Sequence, residues 1–138
     1  MSPVFAFIAL WLIFLATAIF AVARGGMAER LASLCVVLAA LAVMGIHQLA
    51  PSPTIPLMLL ALDGALALAL LGLAMRYGRA WLGAAMVAQA IQFSLHAYYF
   101  VAERRHDLTY SLVNNLVTFS IVGAIVIGTV AAMRRRAA

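Results

Sequence analysis

Arg79 to Glu103, RAWLGAAMVAQAIQFSLHAYYFVAE, is long and apolar enough to cross a bilayer, yet it carries Gln89, Gln92 and His96. At helical spacing, Ala85, Gln89, Gln92, His96, Tyr99 and Glu103 recur at steps of three and four, so one stripe of this helix is polar while the rest suits lipid. A polar stripe in hydrocarbon needs partners. Asp63, Asn114 and Asn115 are the residues that can supply them, each inside another apolar segment.

Around that helix the chain reads as four more apolar spans. The 138 residues are 67% hydrophobic and 9% charged, with a mean hydropathy of +1.12, far from the composition of a soluble domain. The expected spans cover about 3–23, 31–50, 55–76, 80–102 and 108–133. Each is long enough at 1.5 Å per residue for a hydrocarbon core of about 30 Å. The fold class is therefore all-α, a polytopic transmembrane bundle of five helices in a single domain.

The punctuation between spans agrees with this division. Arg24-Gly-Gly-Met-Ala-Glu-Arg30 reads as a short turn with Glu29 and Arg30 at the membrane surface. Pro51 and Pro53 stop one helix and start the next. Arg76-Tyr-Gly-Arg79 is a tight basic hairpin, with Trp81 placed for the headgroup belt. The first span is read as a retained helix, because Arg24 follows the apolar run and no positive charge precedes it, the reverse of a signal peptide.

All nine basic residues are arginine, and they give a formal charge of +5. They sit singly or in short clusters between apolar spans, which is a pattern for membrane orientation and not for nucleic acid. With five crossings, Arg24, Arg30, Arg76, Arg79 and Arg134–Arg136 share one side, while Arg104 and Arg105 lie on the other beside Glu103 and Asp107. The positive-inside rule then places the N-terminus outside and the C-terminus in the cytoplasm.

Counting along each helix gives depth. Asp63 lies roughly 12 Å in from Ile55, while His96 and Asn114/Asn115 lie roughly 10 Å from the same face. Gln92 is one turn further in. An isolated mid-membrane carboxylate costs about 2.5–3.5 kcal/mol on insertion scales, so Asp63 is expected to face inward. Asp63, Gln89, Gln92, His96, Asn114 and Asn115 thus form the candidate site in the outer half of the bilayer. It reads either as a hydrogen-bonded clasp for helices three to five or as the lining of a path for a proton, cation or small polar ligand. Small residues at Ala65, Ala69 and Gly72, and at Ala124, Gly128 and Ala132, are expected at helix contacts.

A third reading is a haem- or quinone-binding anchor. His47 and His96 are the one intramembrane histidine pair, at depths differing by about 5 Å, and would be the axial ligands of a b-type haem. Cys35 stands alone, which removes an internal disulfide and argues against a metal-thiolate cluster, and no metal site is expected. The chain has no HExxH, no CxxC and no nucleophilic serine motif, so no catalytic constellation is found.

Three features fall together between Asp63 and His96: an aspartate in an alanine- and leucine-rich helix, a basic turn followed by tryptophan (Arg76, Arg79, Trp81), and Gln89 or Gln92 with His96 in the next helix. In these the chain resembles a family of small uncharacterised multi-pass membrane proteins of alphaproteobacteria, with Leu82 where that family carries proline. The resemblance implies a bacterial inner-membrane location and no particular activity. Partners expected from the sequence are the lipid bilayer and either further copies of the chain or a larger membrane complex, in which the protein would serve as an accessory or assembly subunit.

Overall fold

The computed structural model describes residues 3–138, and it is helical throughout with no strand among them. Five α-helices follow one another: α1 (Pro3–Arg24), α2 (Met27–Leu49), α3 (Ile55–Tyr77), α4 (Ala80–Val101) and α5 (Leu108–Ala137). Each packs against its successor, and α5 returns to pack on α1, so the helices close into a ring in chain order. The outside of the ring is apolar. Leu49, Met75 and Val101 are 87%, 79% and 79% exposed, and most other large aliphatic side chains of the outer faces are also exposed. An exterior of this kind is costly in water and at ease in hydrocarbon.

Helices α2 and α5 and the segment Ser52–Tyr77 are long and apolar enough to cross a membrane. Helix α4 has the length, at 22 residues or about 33 Å, but Gln89, Gln92 and His96 lower its hydropathy. Those residues are turned into the bundle, where Gln89 is 1% exposed.

The helix boundaries follow from local chemistry. Gly25 and Gly26 alone separate α1 from α2, because Glu29 reaches back to accept the Gly26 N–H at 2.8 Å and starts the helix at Met27 instead of Leu31. Glu29 is consequently buried at 2% exposure, and the expectation of a surface charge is corrected. Gly78 ends α3 in the left-handed region (φ +57°), where its N–H bonds Ala74 O and a residue without Cβ meets no steric penalty. Asp107 caps α5 by accepting the Tyr110 N–H at 2.9 Å. Helix α5 then runs to Ala137, four residues past its expected end, and carries the arginine cluster as its last turn.

Packing away from the 51–54 turn is aliphatic and tight. Leu70, Leu82 and Ile125 are 0%, 0% and 1% exposed, and Thr129 satisfies its hydroxyl on Ile125 O. Trp81 lies on Gly128 so closely that a Cβ there would come within 2.4 Å of the indole ring. The Ala124, Gly128 and Ala132 face is therefore a true helix contact, and all three residues are buried. Trp81 itself is 8% exposed and belongs to the core, not to a headgroup belt, because the small face of α5 leaves room for it. Gly72 departs from expectation in the other direction: a Cβ there would meet nothing within 4 Å. Helix α3 turns the Asp63, Leu66 and Leu70 stripe inward, which rotates Ala65 and Gly72 to the outside.

Candidate functional site

Three successive helices contribute to one hydrogen-bonded chain. From α3, Asp63 Oδ2 is bonded to His96 Nδ1 of α4, and Asp63 Oδ1 accepts from Gln89 Nε2 at 3.2 Å. From α5, Asn114 Oδ1 accepts from Gln92 Nε2 at 3.1 Å and lies 3.3 Å from His96 Nε2. Helical spacing explains the arrangement: Gln89, Gln92 and His96 stand on one face of α4 between α3 and α5, so a single stripe meets partners on both sides.

The amide orientation in which Asn114 Oδ1 accepts from Gln92 sets the proton count. The Asn114 oxygen can only accept, so the His96 nitrogen facing it carries a hydrogen. One further proton then occupies the bond between His96 Nδ1 and Asp63 Oδ2. Whether that proton sits on imidazole or carboxyl, the pair is neutral as a unit. That neutrality is what makes it tolerable in a low-dielectric interior.

Not every predicted residue joins. Asn115 is exposed on the outer face of α5, since one residue further along a helix rotates the side chain by about 100°. His47 is also exposed, and its Nδ1 is bonded to Val43 O at 2.9 Å within its own helix. Both His96 nitrogens are engaged in the clasp, and no contact joins His96 to His47 among the described residues. No group of three or more His, Cys, Asp or Glu with metal-site geometry occurs among the described residues.

Beside the clasp lies a feature the sequence does not announce, a half-open cavity of about 500 Å³ among the five helices. All five helices line it. Trp11 and Phe14 of α1, Val36 of α2 and Ile121 of α5 form apolar walls, while Asp63, Gln89 and Gln92 present one polar wall. Exposed His47 and Gln48 stand among its lining residues near the end of α2. The polar wall is signalled by the period of α4, but a void depends on how side chains of five helices fall short of one another, and no local pattern encodes that.

A ladder of rings continues from the clasp toward the 102–107 loop. Tyr110 stacks on His96 with centroids 5.4 Å apart and on His106 at 3.7 Å. The Tyr99 hydroxyl donates to Asp107 Oδ1 at 2.6 Å. This bond, with the Tyr110 N–H, holds the Asp107 carboxyl below its ordinary range.

Comparison with known proteins gives no match to any protein family, curated sequence or solved structure.

Proposed function

We propose that the protein is a multi-pass subunit of the bacterial inner membrane that holds a lipid-soluble molecule with a hydrogen-bonding head in the cavity between its five helices. The observation that carries this reading is the cavity itself, about 500 Å³ and mostly apolar, with Asp63, Gln89 and Gln92 grouped on one wall and His47, Gln48 and Thr118 as its other polar lining residues. A site with apolar walls and a few convergent polar groups suits a ligand that is mostly hydrocarbon with one polar end, such as a quinone or a prenyl alcohol. The clasp then has two roles. It ties α3, α4 and α5 together, and it holds Gln89 and Gln92 in fixed orientation at the ligand's head.

The inner-membrane location and the external N-terminus rest on the arginine distribution and on the resemblance to small membrane proteins of alphaproteobacteria. The accessory role, in a homo-oligomer or a larger membrane complex, is supported by the outward-facing small residues Ala65 and Gly72.

Transport of a proton or cation through Asp63 and His96 is the alternative, favoured by the single proton shared in their bond. Against it, the half of the bundle toward the arginine-rich end is closed by Leu70, Leu82, Ile125 and Trp81. A path for a charge needs water or polar side chains across that layer.

The test is purification in mild detergent followed by extraction and mass spectrometry of the bound molecules, for wild type and for a variant at Ala40, a lining residue on α2, in which Ala40→Phe fills the cavity. A near-stoichiometric lipid-soluble molecule in wild type, depleted in the variant, supports the reading. Equal recovery of ordinary phospholipid alone from both contradicts it. Proton flux into liposomes that Asp63→Asn abolishes favours the alternative.

A further inference from the structure

At the opposite end of the bundle, Glu29 is the most enclosed carboxylate in the protein, 2% exposed. One of its oxygens, Oε2, accepts the Gly26 N–H. The other, Oε1, is buried and receives no hydrogen bond; the nearest cation is Arg135 Nη2 at 3.9 Å. A buried anionic oxygen left without a donor is costly, and native proteins rarely leave one so.

Glu29 is also one of the residues lining a second pocket of about 290 Å³. Around it stand Arg79 at the start of α4, Arg135 and Arg136 on the last turn of α5, and Tyr77 at the end of α3. Arg136 is held in place by donating to Arg24 O and to Gly25 O at 3.4 and 3.1 Å, which locks the end of α5 onto the α1–α2 turn. Arg79 is exposed, and its guanidinium has no hydrogen bond or ion pair among the described residues. The three arginines against one glutamate leave a net charge of two positive at a site that also needs one hydrogen-bond donor. A phosphodiester satisfies the arginines but has no hydrogen of its own to give Glu29 Oε1. An ammonium group satisfies Glu29 but not the arginines.

We infer that this pocket is a receptor for the glycerophosphate headgroup of an anionic phospholipid, its phosphate on the guanidinium groups of Arg79, Arg135 and Arg136 and a glycerol hydroxyl donating to Glu29 Oε1. Its place in the fold agrees: the pocket sits where α1, α3 and α5 end, at the level where an apolar exterior gives way to charge and headgroups begin. Basic pockets between helix ends on the cytoplasmic side bind anionic headgroups by the same chemistry. The inference needs the membrane placement but not the ligand of the central cavity, so either can fail alone.

The experiment uses the full chain in nanodiscs made of phosphatidylcholine with equal small fractions of phosphatidylglycerol and phosphatidylmethanol, and reads the lipids retained by native mass spectrometry. Phosphatidylmethanol carries the same charge but no headgroup hydroxyl. The expected order of retention is phosphatidylglycerol, then phosphatidylmethanol, then phosphatidylcholine. Arg79→Ala, at an exposed and unpaired position, lowers retention of both anionic lipids about fivefold, the factor one arginine contributes near an anionic surface. Glu29→Gln puts an amide in place of the orphan oxygen and abolishes the preference for phosphatidylglycerol over phosphatidylmethanol; a circular dichroism melt establishes that it folds. Equal retention of all three lipids by wild type overturns the inference, as does an Arg79→Ala protein that retains them unchanged. Displacement of phosphatidylglycerol by millimolar sn-glycerol 3-phosphate also overturns it, by assigning the pocket to a soluble phosphate.

Discussion

His96 Nδ1 on α4 and Asp63 Oδ2 on α3 are bonded to each other although 33 residues apart in the chain, with side chains 15% and 12% exposed. Each is the other's answer to the same difficulty. Alone in a low-dielectric bundle, either group leaves a desolvated charge or an unsatisfied polar atom; together they share one proton and carry no net charge.

That dependence predicts a particular pattern of stabilities. Asp63→Leu alone and His96→Leu alone should each lower the unfolding free energy in detergent by about 1–3 kcal/mol, because each strands a polar partner. The double variant should lose less than the sum of the two. Strict additivity in a double-mutant cycle denies the coupling.

A second prediction concerns the arginine-side half of the bundle. Gly128→Val drives a branched side chain into the Trp81 indole and should cost about 1–3 kcal/mol, the usual range for overpacking. Adding Trp81→Leu should recover much of the loss. Thermal unfolding of the three proteins is the readout, and an unaffected Gly128→Val variant means that α4 and α5 are not in contact there.

At the other end, acid should loosen the α4–α5 turn. Asp107 has its carboxyl held below the ordinary range, first by the Tyr99 hydroxyl and then by the Tyr110 N–H. A depressed carboxylate contributes stability that is complete above its unfolded value of about 3.9 and is lost as pH falls through the lower folded value. Between about pH 5 and pH 3, wild type should therefore lose more melting temperature than Asp107→Asn, which keeps a capping side chain but has no proton to take up. Parallel losses in the two proteins contradict the assignment.

Much of the clasp was legible in the sequence for one reason. Polar residues inside an apolar span have a period, and the steps from Gln89 to Gln92 to His96 define a single face. Depth counting then matched that face with Asp63 on one side and the Asn114–Asn115 pair on the other. Nothing local says which of the two neighbours turns inward, and only Asn114 does. Small residues were ambiguous in the same way. Gly72 and Gly128 look alike in sequence, yet one faces outward and the other lies under Trp81. Glu29 carries a signal of its own: a glutamate three residues after Gly26 is the spacing of a helix start, and it moves the charge from a loop into a first turn that packs inward. The central cavity had no such signal.

The account stands most directly on the state of one imidazole. Nitrogen-15 solid-state NMR of the protein in lipid bilayers, with histidine labelled, reports whether each His96 nitrogen carries or shares a hydrogen. The expected spectrum shows Nε2 protonated and Nδ1 in a strong hydrogen bond, with the Nδ1 signal displaced by Asp63→Asn and the Nε2 signal by Asn114→Ala. A His96 spectrum indifferent to both substitutions contradicts the clasp and, with it, the fixed polar wall of the cavity.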